Sequence, residues 1–228
     1  MTTTWRRELP SLLLLAVMLA LLATTWPLAP ARVPIHWNAS GEVDGYGSKT
    51  TGVLLPPILA LGLYLLLLFA PRVDPGRANY ATFQNSYLVI RTAVLAVVAV
   101  LYGVTCLAAR GAGVSRSVVV PLAVGALFVV LGSVMGKIRP NWFVGIRTPW
   151  TLSSKDAWVR THRLGGWLFL LLGLTFILDG LTARGWATRY LLGGVLAMVV
   201  ILFGYSYFVW RGDPDKVPPA GTQPGDGA

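Results

Sequence analysis

The chain holds one cysteine, two histidines and nine carboxylates in 228 residues, and each scarcity removes a class of chemistry. A single thiol, Cys106, can neither close an intramolecular disulfide nor supply a cysteine-based metal pattern. Its place inside an apolar run marks it as buried and inert. Hydrolase and phosphate-binding motifs are missing too: there is no Gly-x-Ser-x-Gly, no His-Glu-x-x-His and no glycine-rich loop ending in lysine. Charge is itself scarce, at 12% of residues against roughly a quarter in soluble domains. That excludes a soluble domain. No internal repeat relates the two halves.

What remains is apolar: 55% of residues are hydrophobic. Six continuous runs, Ser11–Leu28, Val53–Ala70, Arg91–Ala109, Ser117–Met135, Leu164–Leu181 and Tyr190–Trp210, are long enough to cross a bilayer as helices. Continuity argues for helices, because barrel strands would alternate. The expected fold is an all-α polytopic membrane protein with six transmembrane helices. Pro56-Pro57 should loosen or kink the second span near its outer end, and Pro71 and Pro75 should terminate it. Residues 76–90 read as a polar lead-in to the third span.

The net charge of +10 would suit nucleic acid if it were clustered, but it follows topology. Threading the six spans from a cytoplasmic N-terminus puts 13 of the 19 Lys and Arg on the inner side, Arg91 counted among them. This satisfies the positive-inside rule and places both termini in the cytoplasm. Attraction to anionic lipid head groups follows, and direct nucleic-acid binding does not. Arg6-Arg7, the first apolar run and Ala29-Pro30-Ala31 imitate a secretory signal. The run reaches spanning length, so it is read as a retained helix.

The first external loop, residues 29–52, carries an alternating stretch, Val33-Pro34-Ile35-His36-Trp37-Asn38, with turn dipeptides Ser40-Gly41 and Asp44-Gly45. A small β-hairpin or ordered Ω-like loop is expected on the outer surface, with Trp26, Trp37 and Tyr46 at head-group depth. Its charges, Arg32 and Lys49 against Glu42 and Asp44, cancel. His36, Glu42 and Asp44 form a weak N/O metal set that matches no strong motif. The structural reading makes Asp44 the acceptor of an Asx turn and pairs Lys49 with a carboxylate.

The inner loop is the most distinctive segment, opening a cytoplasmic region over residues 136–163. It combines the cations Lys137, Arg139, Arg147 and Lys155 with the aromatics Trp142, Phe143 and Trp150. Pro140-Asn141 and Gly145-Ile146-Arg147-Thr148-Pro149 impose a fixed backbone shape. Three uses stay open: an interfacial anchor, a docking surface for a soluble partner, or a phosphate or lipid head-group site using Arg139 and Arg147. Ser153 reads as the N-cap of the next helix, with Asp156 at the third helical position. Asp156–Arg160 and Trp158–His162 are spaced to meet on one face, and Gly165-Gly166 permits close helix approach. His36 and His162 fall on opposite sides of the membrane and cannot cooperate. Asp179 is expected near water at the outer end of the fifth span.

With these residues assembled, a family resemblance is evident. Pro34, His36, Gly41, Asp44 and Lys49 resemble the signature of a small membrane domain of unknown function found near the N-terminus of bacterial proteins. The run Gly136–Trp150, followed by Trp158, His162 and Gly165-Gly166, resembles the SdpI-type immunity protein family. The resemblance implies an N-terminal membrane domain (1–90), an SdpI-like domain of four spans (91–211) and a disordered tail (212–228). It implies a non-enzymatic, multi-pass protein of the bacterial plasma membrane, without cofactor, that protects its cell from a secreted killing-factor peptide. In the best-known system such a protein also holds a cytoplasmic winged-helix autorepressor at the membrane. On this basis Pro34, His36, Trp37, Gly41, Asp44 and Lys49 face the toxin. Lys137, Arg139, Pro140, Asn141, Trp142, Gly145, Arg147, Thr148, Pro149 and Trp150 form the partner-binding loop, supported by Trp158 and His162. The alternative is a membrane enzyme, or a lipid- or metal-binding protein, using the outer His/Glu/Asp loop or the inner Arg loop.

Overall fold

A computed structural model describes residues 4–38, 42–183 and 186–217. Six of its helices are long and apolar enough to cross a membrane. Helix α1 covers Trp5–Thr25. Strands β1 (Arg32–Trp37) and β2 (Val43–Ser48) pair antiparallel as a two-stranded sheet, so the alternating stretch is a hairpin. A π-helical turn, Thr50–Leu54, leads into α2, Leu55–Val73. A 3₁₀ turn, Arg77–Ala81, then precedes α3, Gln84–Ala109. Helix α4 covers Arg116–Met135, the short α5 Pro149–Ser153, α6 Lys155–Thr182 and α7 Trp186–Gly212. The hairpin lies at one end of the bundle. The segment from Gly136 to Thr148 lies at the other, called here the loop end.

Pro56-Pro57 sit in the first turn of α2, directly after the π-helical turn, so the span is loosened where the π and α segments join. Several local expectations are corrected. Pro71 lies inside the last turn of α2. Helix α1 starts six residues before the apolar run, and α3 seven before its own, bringing Glu8 and Arg91 inside the bundle. Arg91 is therefore no loop charge. Asp179 is fully buried rather than near water, because α6 turns its Asp179-Gly180 face against the start of α4.

The closest packing joins α4 to α6. Gly125 meets Gly173, and Gly132 meets Gly166, with the Cα atoms bare enough for backbones to touch. A Cβ added at Gly125 would lie 2.7 Å from the Gly173 carbonyl oxygen, and one at Gly132 2.7 Å from that of Gly166. Gly180 continues the seam against Leu122 and Val118. The seven-residue spacing of Gly166, Gly173 and Gly180 keeps one bare stripe along α6. Inside a bilayer, where lipid is as apolar as leucine, such close contact supplies the dispersion energy that solvent exclusion cannot.

Three apolar clusters complete the interior. Leu15, Met18, Tyr64, Leu95 and Tyr102 join α1, α2 and α3. At the loop end, Tyr80, Phe83, Tyr87, Met135, Ile138 and Trp158 pack together. Beneath the hairpin lie Ala29, Val33, Val53 and Ala109. Gly132→Ala is expected to cost about 1–3 kcal/mol by overpacking and to lower the thermal midpoint in detergent. Gly62→Ala, which meets nothing within 4 Å, should leave that midpoint unchanged or raise it.

Candidate functional site

The loop end is organised by one side chain, Asn141, which is 2% exposed. Its Oδ1 accepts from the N–H groups of Phe143 (3.0 Å) and Val144 (2.7 Å), and its Nδ2 donates to the carbonyls of Arg139 and Val144 at 2.9 Å. A single amide thus satisfies four backbone groups of a loop that has no regular secondary structure. Asp74, at the end of α2, clamps it from outside. Its carboxylate accepts from Trp142 N (2.9 Å), Gly76 N (2.6 Å) and Tyr80 Oη (2.7 Å). Burial and then the Asp74 bond hold the Tyr80 hydroxyl far above the usual phenol range. Asn79 Nδ2 adds a 2.7 Å bond to the Pro140 carbonyl.

The second half of the loop is pinned to α6. His162 Nδ1 bonds the Trp158 carbonyl at 2.8 Å, and its Nε2 accepts from Ile146 N at 3.0 Å. This pairing requires the neutral ring protonated on Nδ1. Gly145 has φ +113°, and a Cβ there would collide with His162 Nε2. The positive φ and the missing Cβ are what let the backbone present Ile146 to the ring. Trp158 stacks on His162 at 4.1 Å between centroids, and its indole donates to the Ile138 carbonyl at 2.9 Å. Thr148 caps α5 in a reciprocal box with Thr151 and reaches Ser206 of α7 at 3.0 Å. Trp150 packs edge-on against Phe203 and Tyr207.

The cap of α6 is Ser154, one residue beyond the expected Ser153, because Pro149–Ser153 form a helical turn of their own. Ser154 Oγ accepts from Ala157 N at 2.9 Å and donates to Asp213. That donation holds the Asp213 carboxyl below the usual carboxylate range. Asp156 and Arg160 form the expected pair at 2.9 Å.

The loop residues singled out from sequence thus divide in two. Asn141, Thr148, Trp158 and His162 are buried, Pro140, Gly145 and Trp150 half-buried, and all of them shape the loop. Lys137, Arg139, Trp142, Arg147 and Pro149 are exposed, as is Phe143. Trp142 is 55% and Phe143 39% exposed. Arg147 also donates to the Trp142 carbonyl, so it braces the tip that it flanks.

At the other end, His36 Nδ1 lies 2.5 Å from Asp44 Oδ1 across the hairpin. The side-chain-to-backbone bond near the hairpin tip comes from Asn38, which bonds both the backbone N–H and the carboxylate of Glu42 at 3.0 Å. Asp44 does not form it, since pairing across the strands turns its carboxylate to His36. Lys49 stacks over Trp26 at 4.6 Å instead of pairing with a carboxylate. Pro34 and Trp37 are half-buried, and Arg116 stacks over Trp37 at 4.2 Å. Gly41 lies outside the described residues, as does the tail beyond Val217. Among the described residues no three His, Cys, Asp or Glu side chains gather to hold a metal ion; Glu42 is engaged by Asn38 instead.

One polar centre escaped the sequence reading. Glu8, 5% exposed, meets Arg91, 1% exposed, at 2.5 Å and accepts from Tyr64 Oη at 3.0 Å. The pair joins α1, α2 and α3 in the apolar interior. Its signal was present: an acid lies just before one apolar run and a base opens another, in a chain with few carboxylates. Asp74, beside Pro75, was passed over likewise.

A six-helix bundle with a small sheet at one end and a hydrogen-bonded aromatic loop at the other defines a small polytopic membrane protein. Residues 137–206, which include most of that loop, match the model of the SdpI/YfhL protein family. Residues 13–61 match a domain of unknown function, DUF1648. The chain is also similar to the immunity protein SdpI of Bacillus subtilis (strain 168), 23% identical over 184 residues, 78% of this chain and 84% of that relative. No solved structure matches.

Asn141→Ala removes every bond of the central amide and leaves the Phe143 and Val144 N–H groups unmet. A loss of about 2–4 kcal/mol is expected, read as faster protease cleavage between residues 136 and 148, with the spans uncut. Glu8→Ala leaves Arg91 buried and unpaired, for an expected loss of about 3–5 kcal/mol. The double variant Glu8→Met/Arg91→Met should recover most of the detergent midpoint. A double variant as weak as the single one would exclude charge burial as the cause.

Proposed function

We propose that this chain is a membrane immunity protein that protects its cell from a secreted killing-factor peptide. We further propose that it passes the signal inward by holding a cytoplasmic repressor. The observation that carries the proposal is the loop within the family segment, where Trp142, Phe143, Arg139 and Arg147 are displayed on a backbone braced by Asn141, Asp74 and His162. A mere lipid anchor needs aromatics and cations; it does not need the N–H groups of Trp142, Phe143, Val144 and Ile146 each held by a buried side chain. A preorganised aromatic and arginine face is what a docking site requires.

Orientation follows from charge. Even with Arg91 inside the bundle, cations at the loop end outnumber those at the hairpin end, which supports a cytoplasmic loop and both termini inside. The hairpin, with Pro34, His36, Trp37, Asp44 and Lys49, then faces the peptide. Coupling the ends needs two arrangements of the bundle separated by a few kcal/mol, one favoured by the peptide. Protection uses binding rather than turnover.

The test is survival of a sensitive bacterium expressing the protein and challenged with an SDP-type killing peptide. Wild type should protect, and Asp44→Asn should lose at least tenfold in survival at equal expression. Trp142→Ala/Phe143→Ala should still protect, while releasing the repressor from the membrane fraction. Survival no better than an empty vector would sink the immunity reading. A repressor still retained by the double variant would sink the docking face.

A further inference from the structure

Beneath the hairpin lies a cavity of about 720 Å³ between the first turn of α2, the middle and end of α3 and the start of α4. Its size falls in the range of sites that enclose small ligands. Val98, Leu101, Val104, Val120 and Pro121 line its deeper part, and His36, Trp37, Asn38 and Arg116 its rim. The two hydroxyl-bearing side chains on its α3 wall are already committed: Tyr102 Oη donates to the Val53 carbonyl at 2.9 Å and Thr105 Oγ1 to that of Leu101 at 3.1 Å. The depth of the cavity therefore offers hydrocarbon contacts and little else.

The rim is the opposite. Among the described residues, neither Arg116 Nε nor Trp37 Nε1, both buried N–H donors, has a hydrogen-bond partner. Their side chains stack on each other at 4.2 Å, so the two donors sit on one rigid unit. Arg116 also opens α4, whose first turn has no side-chain cap bond from Ser115. The positive end of a 20-residue helix adds to the guanidinium charge. Two unmet donors and a cation above an apolar shaft are complementary to an acceptor-rich anionic head on an alkyl chain.

We propose that this cavity binds an anionic phospholipid of the surrounding bilayer, its phosphate on Arg116 and Trp37 and one acyl chain along Val98, Leu101, Val104 and Val120. This goes beyond the immunity reading and depends only on the chain residing in a membrane. A peptide segment is the less suitable occupant, because its backbone groups would enter a wall with no free partner, and each unmet group in hydrocarbon costs several kcal/mol. Val98 to Thr105 spans about 10 Å of helix, shorter than the roughly 15 Å of one leaflet. The acyl chain runs past the shaft into the bilayer, in register with its neighbours.

Native mass spectrometry tests this with the full chain reconstituted in equal parts of phosphatidylglycerol and phosphatidylcholine, then released into detergent. The wild type should retain one phosphatidylglycerol. Arg116→Gln, which removes the charge at the rim, and Val120→Phe, which fills the shaft, should each cut that retention at least tenfold. Arg139→Gln, at the opposite end, should retain it as wild type does. Circular dichroism and gel filtration identify any variant that fails to fold, and either of the first two suffices alone. Equal retention of phosphatidylcholine, a free fatty acid or a copurified peptide in place of the phospholipid, or unchanged retention in both variants, would overturn the proposal.

Discussion

The contact on which the remaining structure depends is the bare seam between α4 and α6. Gly125, Gly132, Gly166 and Gly173 bring two backbones within van der Waals reach, and the segment joining those helices must turn back over their shared end. Because the seam fixes where Met135 stops and Lys155 begins, it also fixes the span that residues 136–154 bridge. His162 and Trp158 lie on α6 immediately beyond Gly166 toward the loop, and Ile138 follows directly from α4. Their contacts across the loop exist because the helices beneath are so close.

Polar interactions then do what apolar packing cannot. An irregular loop at a membrane surface has backbone groups that neither helix nor sheet satisfies. Asn141, Asp74, His162 and Thr151 meet them individually, each with a buried side chain taken from a different part of the chain. Asp74 comes from the end of α2 and His162 from α6, so the loop ties the N-terminal helices to the C-terminal ones. Glu8 and Arg91 perform a related task deeper in the bundle. A buried pair adds little net stability, since desolvation opposes attraction. It does specify which faces of α1 and α3 meet, because any other rotation would leave a charge alone in hydrocarbon.

The two ends differ in kind. On the hairpin itself and at its base the side-chain pairs are exposed or shared with an aromatic ring, as with His36–Asp44 and Lys49 over Trp26, and such surface pairs contribute little. At the loop end the polar contacts are buried, while the exposed residues are a tryptophan, a phenylalanine and arginines. The sheet can therefore adjust at modest cost, whereas the loop keeps its shape. This asymmetry fits the proposed division, with a peptide met at the hairpin end and a soluble partner at the loop end.

The sequence by itself determined the number of spans, the hairpin, the Trp158–His162 pairing and the location of the distinctive loop. Each depends on local composition or on spacing of a few residues. Run length sets a transmembrane helix, alternation a strand, and a separation of four a shared helix face. The sequence did not reveal which loop residues are displayed and which are internal supports: Asn141 and Trp142 are neighbours with equal claim to function, yet one is 2% and the other 55% exposed. Nor did it reveal that Glu8 reaches Arg91, that Asp74 grips Trp142, or that Asp179 is buried. Those facts were decided by tertiary structure alone, because hydrogen bonds between residues 68 or 83 positions apart exist only after the helices have packed and brought their donors and acceptors within 3 Å.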